Sequence, residues 1–250
     1  MDLNKVEPQF MEKTNPRIGL ITLGSDFRIE KDFNNIIYGR DIDLYVNRIH
    51  CYNPLTNETL AKMAEDITEV TNDILPGEKI DCVAYGCTSG TVAAGYDVIK
   101  KKVNLAKPEA KVTTPITSAI KALKVLDINK ISIFTPYTKT INDSVVNYFK
   151  KENIIVNSLT YFDIDSDLDI GKVDEDYLFE ILSKIDLKDS DALFVSCTAL
   201  PVLSIIDKLE KKLNKTVLSS NQYFILQALL VRLQHAQYQH YHNNFHQYVH

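Results

Sequence analysis

Val83-Ala84-Tyr85-Gly86-Cys87-Thr88-Ser89-Gly90 and Leu193-Phe194-Val195-Ser196-Cys197-Thr198-Ala199-Leu200-Pro201 decide the fold. Each is a short apolar run that opens into a Cys-Thr pair. Such runs read as strands buried on both faces, as in parallel sheets. The residues after each cysteine read as the start of a helix, where unpaired amides and the positive dipole end favour a thiolate. Two such thiols, one from each half of the chain, predict a pair of acid/base groups facing one substrate. That pair is enough to move a proton on carbon without a cofactor.

Outward from these stretches, apolar runs alternate with amphipathic, charged ones. Strands are predicted at 18–23, 44–49, 82–85, 111–113, 131–134, 154–161, 192–196 and 216–218. Helices are predicted between them. Residues 59–73 carry Leu60, Met63, Ala64, Ile67 and Val70 at helical spacing. Thr114-Pro115 reads as a capping hydroxyl followed by proline at the first helical position. Further helices are expected over 142–151, 174–184 and 200–213. The alternation implies an α/β fold with parallel sheets flanked by helices.

The chain also reads as a loose repeat. Arg17-Ile18-Gly19-Leu20-Ile21-Thr22 is similar in kind to Lys130-Ile131-Ser132-Ile133-Phe134-Thr135, and the two cysteines are 110 residues apart (197 − 87). The expectation is two similar lobes with pseudo-twofold symmetry: 17–114 plus 216–232 as the first, 115–215 as the second, after an extension at 1–16. Ligands of open α/β sheets bind beyond the carboxyl ends of the strands, so the cleft between lobes would have Cys87 on one wall and Cys197 on the other.

Composition narrows the function. A hydrophobic content of 45% can fill a core, and a net charge of −5 argues against nucleic acid. The first fifteen residues are polar and lack a signal-peptide pattern, and no apolar stretch is long enough for a membrane, so a cytoplasmic protein is expected. Cys51, Cys82, Cys87 and Cys197 include no Cys-x-x-Cys spacing, which argues against zinc ribbons and thioredoxin-like motifs. Cys82 reads as a small core residue, and Cys51, beside His50, as structural. Five of the six histidines fall in the last sixteen residues. His242, His246 and His250 have i, i+4 spacing, but a polar terminus without acidic or cysteine partners argues against a metal. Residues 233–250 read as a tail that is disordered or non-native.

The predicted strand-end loops share a chemistry. Gly24-Ser25-Asp26, Gly86-Cys87-Thr88-Ser89-Gly90, Thr135-Pro136-Tyr137-Thr138, Ser196-Cys197-Thr198 and Ser219-Ser220-Asn221 offer small hydroxyls and amides, which cradle carboxylates. Thr88, Ser89 and Thr198 also suit helix capping, which is compatible with anion binding. Glu30 and Asp32 read as members of a solvated helix face.

With these motifs the chain resembles the aspartate/glutamate/hydantoin racemase superfamily, in the branch that holds maleate cis–trans isomerase, arylmalonate decarboxylase and the racemase-like protein of ectoine utilisation. Arg17-Ile18-Gly19-Leu20-Ile21, Tyr45-Val46-Asn47-Arg48-Ile49, Asn53-Pro54-Leu55-Thr56 and Tyr85-Gly86-Cys87-Thr88-Ser89-Gly90-Thr91 look most like the last of these. The resemblance implies that Cys87 and Cys197 are catalytic. It implies that Thr88, Ser89, Tyr137 and Thr198 hold a substrate carboxylate and that Asn221 is a polar cleft residue. Decarboxylases of the branch lack the first cysteine, which this chain keeps. Maleate isomerases resemble Ser-Ser-Asn-Thr after the first strand, where this chain has Gly24-Ser25-Asp26-Phe27. A carboxylate at Asp26 would repel a second substrate carboxylate and attract an ammonium.

The expected activity is therefore cofactor-independent racemisation of a small acidic amino acid or a derivative. One cysteine removes the Cα proton and the other donates from the opposite face. The alternatives are maleate cis–trans isomerisation by addition of Cys87 to the double bond, and a non-catalytic carboxylate-binding protein. No metal or cofactor is expected. The expected partners are a small carboxylate and further copies of the chain in a dimer or larger homo-oligomer, with neither nucleic acid nor membrane.

Overall fold

The computed structural model describes residues 3–11, 15–187 and 189–230. The expected tail and its histidines lie outside these. The first half runs β1 (Arg17–Leu23), α1 (Ile29–Ile37), β2 (Asp43–Ile49), α2 (Asn57–Lys62), α3 (Ile67–Asn72), β3 (Cys82–Gly86), α4 (Thr88–Ala94), α5 (Tyr96–Ala106), β4 (Lys111–Thr113) and α6 (Pro115–Val125). The second runs β5 (Lys130–Thr135), α7 (Lys139–Lys151), β6 (Ile155–Tyr161), α8 (Asp167–Gly171), α9 (Glu175–Leu182), β7 (Ala192–Val195), α10 (Ile206–Leu213), β8 (Thr216–Ser219) and α11 (Ser220–Leu229).

All eight predicted strands form, in two four-stranded sheets of the same order, β2-β1-β3-β4 and β6-β5-β7-β8. Every pairing is parallel. The repeat is therefore structural: the same topology twice, offset by four strands. Every residue of β3 and β7 is buried, whereas the edge strands β2 and β6 are half open. Uninterrupted apolar sequence belongs to central strands covered on both faces, and that is where it is found.

Three expectations change. Residues 216–232 do not all belong to the first lobe, because β8 pairs with β7, from Ala192↔Thr216 to Val195↔Ser219. Val217 and Leu218 are fully buried there, which closes the open edge of β7. Only α11 crosses back, where it packs against β3, β4, α1 and α6. A capping box at Ser219 and Gln222 turns the chain straight from strand to helix. Phe224 of α11 meets Phe33 of α1 edge-to-face at 5.7 Å. A helix apolar all round belongs inside a protein, and Tyr223–Leu226 are buried without a break.

The helix predicted over 59–73 is instead α2, a 3-10 turn at Met63–Asp66 and then α3. At Thr114 the hydroxyl caps no amide and pairs with Thr117 Oγ1 at 2.8 Å, so Pro115 at the first position carries the start of α6. Among the described residues no helix is long and apolar enough to cross a membrane.

Candidate active site

Cys87 ends β3 and caps α4. Its backbone is extended, and its Sγ accepts a hydrogen bond from Gly90 N at 3.2 Å. Gly90 is required there: a Cβ would lie 2.8 Å from Cys87 Sγ and 2.8 Å from Tyr85 Oη. Ser89 Oγ lies 3.8 Å from the same sulfur. Cys197 ends β7 differently. It has φ of +113°, a conformation that costs a non-glycine residue about 1–3 kcal/mol. The helix expected from Leu200 does not start there. A turn and a 3-10 segment at Leu203–Ile205 intervene before α10. Cys197 therefore has no helix dipole behind it. Ala199 N and the Tyr137 hydroxyl only partly offset the burial that raises its thiol.

Side chains from both sheets stitch the two strand ends together. Ser220 Oγ lies 2.9 Å from Thr88 Oγ1 and accepts from Cys197 N at 3.0 Å. Thr198 Oγ1 donates to Gly86 O at 3.3 Å. Asn221 Nδ2 donates to Thr198 O at 2.8 Å and to Asp32 Oδ2 at 2.7 Å. Ser196 Oγ reaches Tyr137 Oη at 3.5 Å. The fold thus brings Asp26, Thr88, Ser89, Tyr137, Thr198 and Asn221 around the two thiols. All six are buried, and Cys87 and Cys197 are only 3% and 7% exposed. A cavity of about 550 Å³, lined by Asn72, Lys79, Asp81 and Lys107 among others, lies at the opposite ends of β3 and β4.

Two carboxylates that sequence reasoning passed over join this group. Asp32, expected on a solvated face, is held by Asn221, and burial pushes its carboxyl up to about 7. Its signal was its position one turn after Arg28 on a helix whose other side is core. Asp167 begins α8 and accepts from Ser25 Oγ of the other lobe at 2.6 Å. Burial raises it to about 6, with the charge of Asp26 adding to the rise. In sequence it is hidden in Asp163-Ile164-Asp165-Ser166-Asp167-Leu168-Asp169, which reads as a solvated acidic run.

The α8 segment closes on the first lobe at more points. Arg28 Nε donates to Gly171 O at 3.1 Å and Leu55 N to Asp165 O at 2.7 Å. Cys51 stands nearby, its thiol pushed up to about 11 by burial, with Ser25 pulling the other way.

Burial disfavours the expected thiolates in this structure. Burial drives Cys87 far above the ordinary thiol range, against the Gly90 amide and with Asp167 adding to the rise. Cys197 is likewise raised, first by burial and then by the charge of Asp167, with Asp26 contributing and Ala199 N and Tyr137 opposing. Desolvation outweighs one amide and one hydroxyl, so both groups are thiols at neutral pH.

The fold has close solved counterparts. A cysteine-to-serine mutant of Nocardia farcinica maleate cis–trans isomerase, with a covalently bound succinylcysteine intermediate, superimposes with a TM-score of 0.78 over 86% of this chain and 92% of that one, at 18% identity. Maleate isomerase from Pseudomonas putida gives 0.77 over 87% and 92%, at 21% identity. In sequence, maleate isomerase of Geobacillus stearothermophilus is 26% identical over 231 residues, 85% of this chain and 91% of that protein. Residues 55–239 match the Amdase family, described as arylmalonate decarboxylase. On that match, which takes in both cysteine motifs and Tyr137, the chain belongs to the arylmalonate decarboxylase family.

Proposed function

We propose that this protein is a cofactor-independent isomerase that converts a small cis-enedioate, maleate or a close derivative, to its trans form. The observation that carries the reading is the pair of buried thiols at the ends of the equivalent strands β3 and β7, where Ser220 Oγ joins the Thr88 hydroxyl to the Cys197 amide. Relatives across most of the chain are maleate isomerases, which favours this chemistry over the expected racemisation.

In this scheme the cleft opens, substrate enters, and Cys87 ionises with Gly90 N stabilising the thiolate. The thiolate adds to one alkene carbon. The alkene pair moves onto the neighbouring carbon and into its carboxylate, as an enediolate. Amides and hydroxyls of Thr88, Ser89, Thr198 and Tyr137 stabilise that charge. The Cys197 thiol protonates the carbon, which leaves a single bond free to rotate. Cys197 thiolate then recovers a proton from the same carbon, the C–S bond breaks, and the trans alkene leaves with Cys87 as thiolate again. Protons and electrons balance without a cofactor.

Racemisation is the second reading, supported by two thiols on opposite lobes, the arrangement that two-sided proton transfer needs. The test is NMR of maleate and maleamate with the protein, together with intact mass. Trans product and a covalent adduct that Cys87→Ser abolishes support the proposal. No trans product and no adduct from either compound contradicts it.

A further inference from the structure

Two buried acceptor atoms at the site have no hydrogen-bond donor: Asp26 Oδ2 and Asn221 Oδ1. Their residues are 1% and 3% exposed. A buried acceptor left without a donor is costly, so two together point to something that fills them. Both border Thr198, the neighbour of Cys197. Asn221 Nδ2 donates to the Thr198 carbonyl, which fixes Oδ1 as the free end of that amide. Burial raises the Asp26 carboxyl above its ordinary range; the amides of Arg28 and Ile29 and the Thr198 hydroxyl oppose this, although that hydroxyl donates to Gly86 O. Asp26 Oδ1 is satisfied by the amides of Arg28 at 2.8 Å and Ile29 at 3.1 Å, so only Oδ2 is open.

Two carboxylates and the Arg48 guanidinium act on these atoms. Asp32 and Asp167 both lie within electrostatic reach of Asp26. The two nearby cations are spent elsewhere: Arg48 pairs with Glu30 and donates to the carbonyls of Leu23, Gly24 and Asp26, while Arg28 donates to Gly171 O and packs over the Phe27 ring. Among the described residues Asp26 has no ion-pair partner. A free carboxylate placed here would bring no proton to either acceptor, whereas an N–H donor would.

We propose that this corner beside Cys197 is a subsite for an N–H donor. The substrate is then a small carboxylate that also carries an ammonium or a primary amide directed at this corner. The proposal rests on the two-thiol reading above and names the substrate class for that site. An amide of the cis-enedioate would be isomerised. An amino acid would exchange its Cα proton between the two thiols.

The experiment compares maleate, maleamate and L-aspartate as ligands of the full chain by calorimetry, with turnover followed by NMR in deuterated water. The wild-type protein should prefer maleamate or aspartate to maleate by at least tenfold. Trans product from maleamate identifies the amide source, and deuterium at Cα of aspartate the ammonium source. Asp26→Asn preserves the shape and the Oδ1 cap, and should erase or reverse the preference. Should that variant fail to fold, the wild-type order of affinities decides alone. Tighter binding and faster turnover of maleate in the wild type would overturn the subsite and leave the isomerase standing. Preference for aspartate with Cα exchange, and no isomerisation of either enedioate, would overturn the isomerase and leave the subsite standing. Equal affinities for all three, unchanged in Asp26→Asn, would show that the two acceptors hold water and end the proposal.

Discussion

The ends of β3 and β7 are the same place in two copies of one topology, yet they treat their cysteines differently. Three residues after Cys87 is Gly90, whose amide turns onto the sulfur inside a helical first turn. Three residues after Cys197 is Leu200, buried in the core, and the chain passes through a turn with the cysteine itself at positive φ. Cys87 has Asp167 as its nearby carboxylate charge, whereas Cys197 has both Asp167 and Asp26. The repeated sheet thus supplies two thiols, and on the proposed reading the residues after them divide their work. The amide at Cys87 suits the group that must become a nucleophile. The acidic surroundings of Cys197 suit the group that must keep a proton until a carbanion needs it.

The largest effects should come from removing either thiol. Cys87→Ser should lower turnover by at least about 10³-fold, since no other group can form the covalent bond. Cys197→Ser should cost about 10²–10⁴-fold, the range for a positioned general acid. The double mutant should be little worse than Cys87→Ser in the same steady-state assay, because the groups act as a unit. Full activity in either single mutant would break the division of roles.

Gly90→Ala sharpens the comparison from the Cys87 side. The new methyl must displace the sulfur or the Tyr85 hydroxyl. Turnover should fall by about 100-fold, the scale of a 1 Å misplacement, and stability by about 1–3 kcal/mol from overpacking. Thermal melts and initial rates separate the two effects. A neutral Gly90→Ala would show that the sulfur has room to move.

The acidic side offers a smaller, pH-dependent effect. Asp32 titrates at about 7 in the folded chain, against about 4 when unfolded. Between these values the folded state binds more protons, so its stability falls as pH rises from about 4 to 7 and the full penalty remains above that. Asp32→Asn should flatten the slope over this window and raise Tm above pH 7 by a few degrees. Melts across the range check it, and an unchanged slope would remove Asp32 from the acidic group.

Locality decides how much of this is legible in the sequence. The eight strands are legible because two-sided burial leaves apolar runs in sequence. Cys87 at a helix start is legible because Thr88-Ser89-Gly90 is local capping chemistry. The membership of β8 is not, since its partner β7 is set by which edge is open. The missing helix after Cys197 has a local sign, Pro201, masked by the helical period from Leu203 onward. Desolvation of the thiols is invisible, because it depends on how the lobes close. Asp167 is unreadable for the same reason: its partner Ser25 is 142 residues away, and the charges beside it look like solvent-facing ones.

The central claim is that Cys87 bonds to substrate while Cys197 carries the proton. Peptide mapping by mass spectrometry, after incubation of Cys197→Ser and Cys87→Ser with maleamate and maleate, tests it most directly. The account predicts an adduct on Cys87 that accumulates in Cys197→Ser, and none on Cys197 in Cys87→Ser. An adduct on Cys197 in Cys87→Ser, at a yield matching that on Cys87, would contradict it.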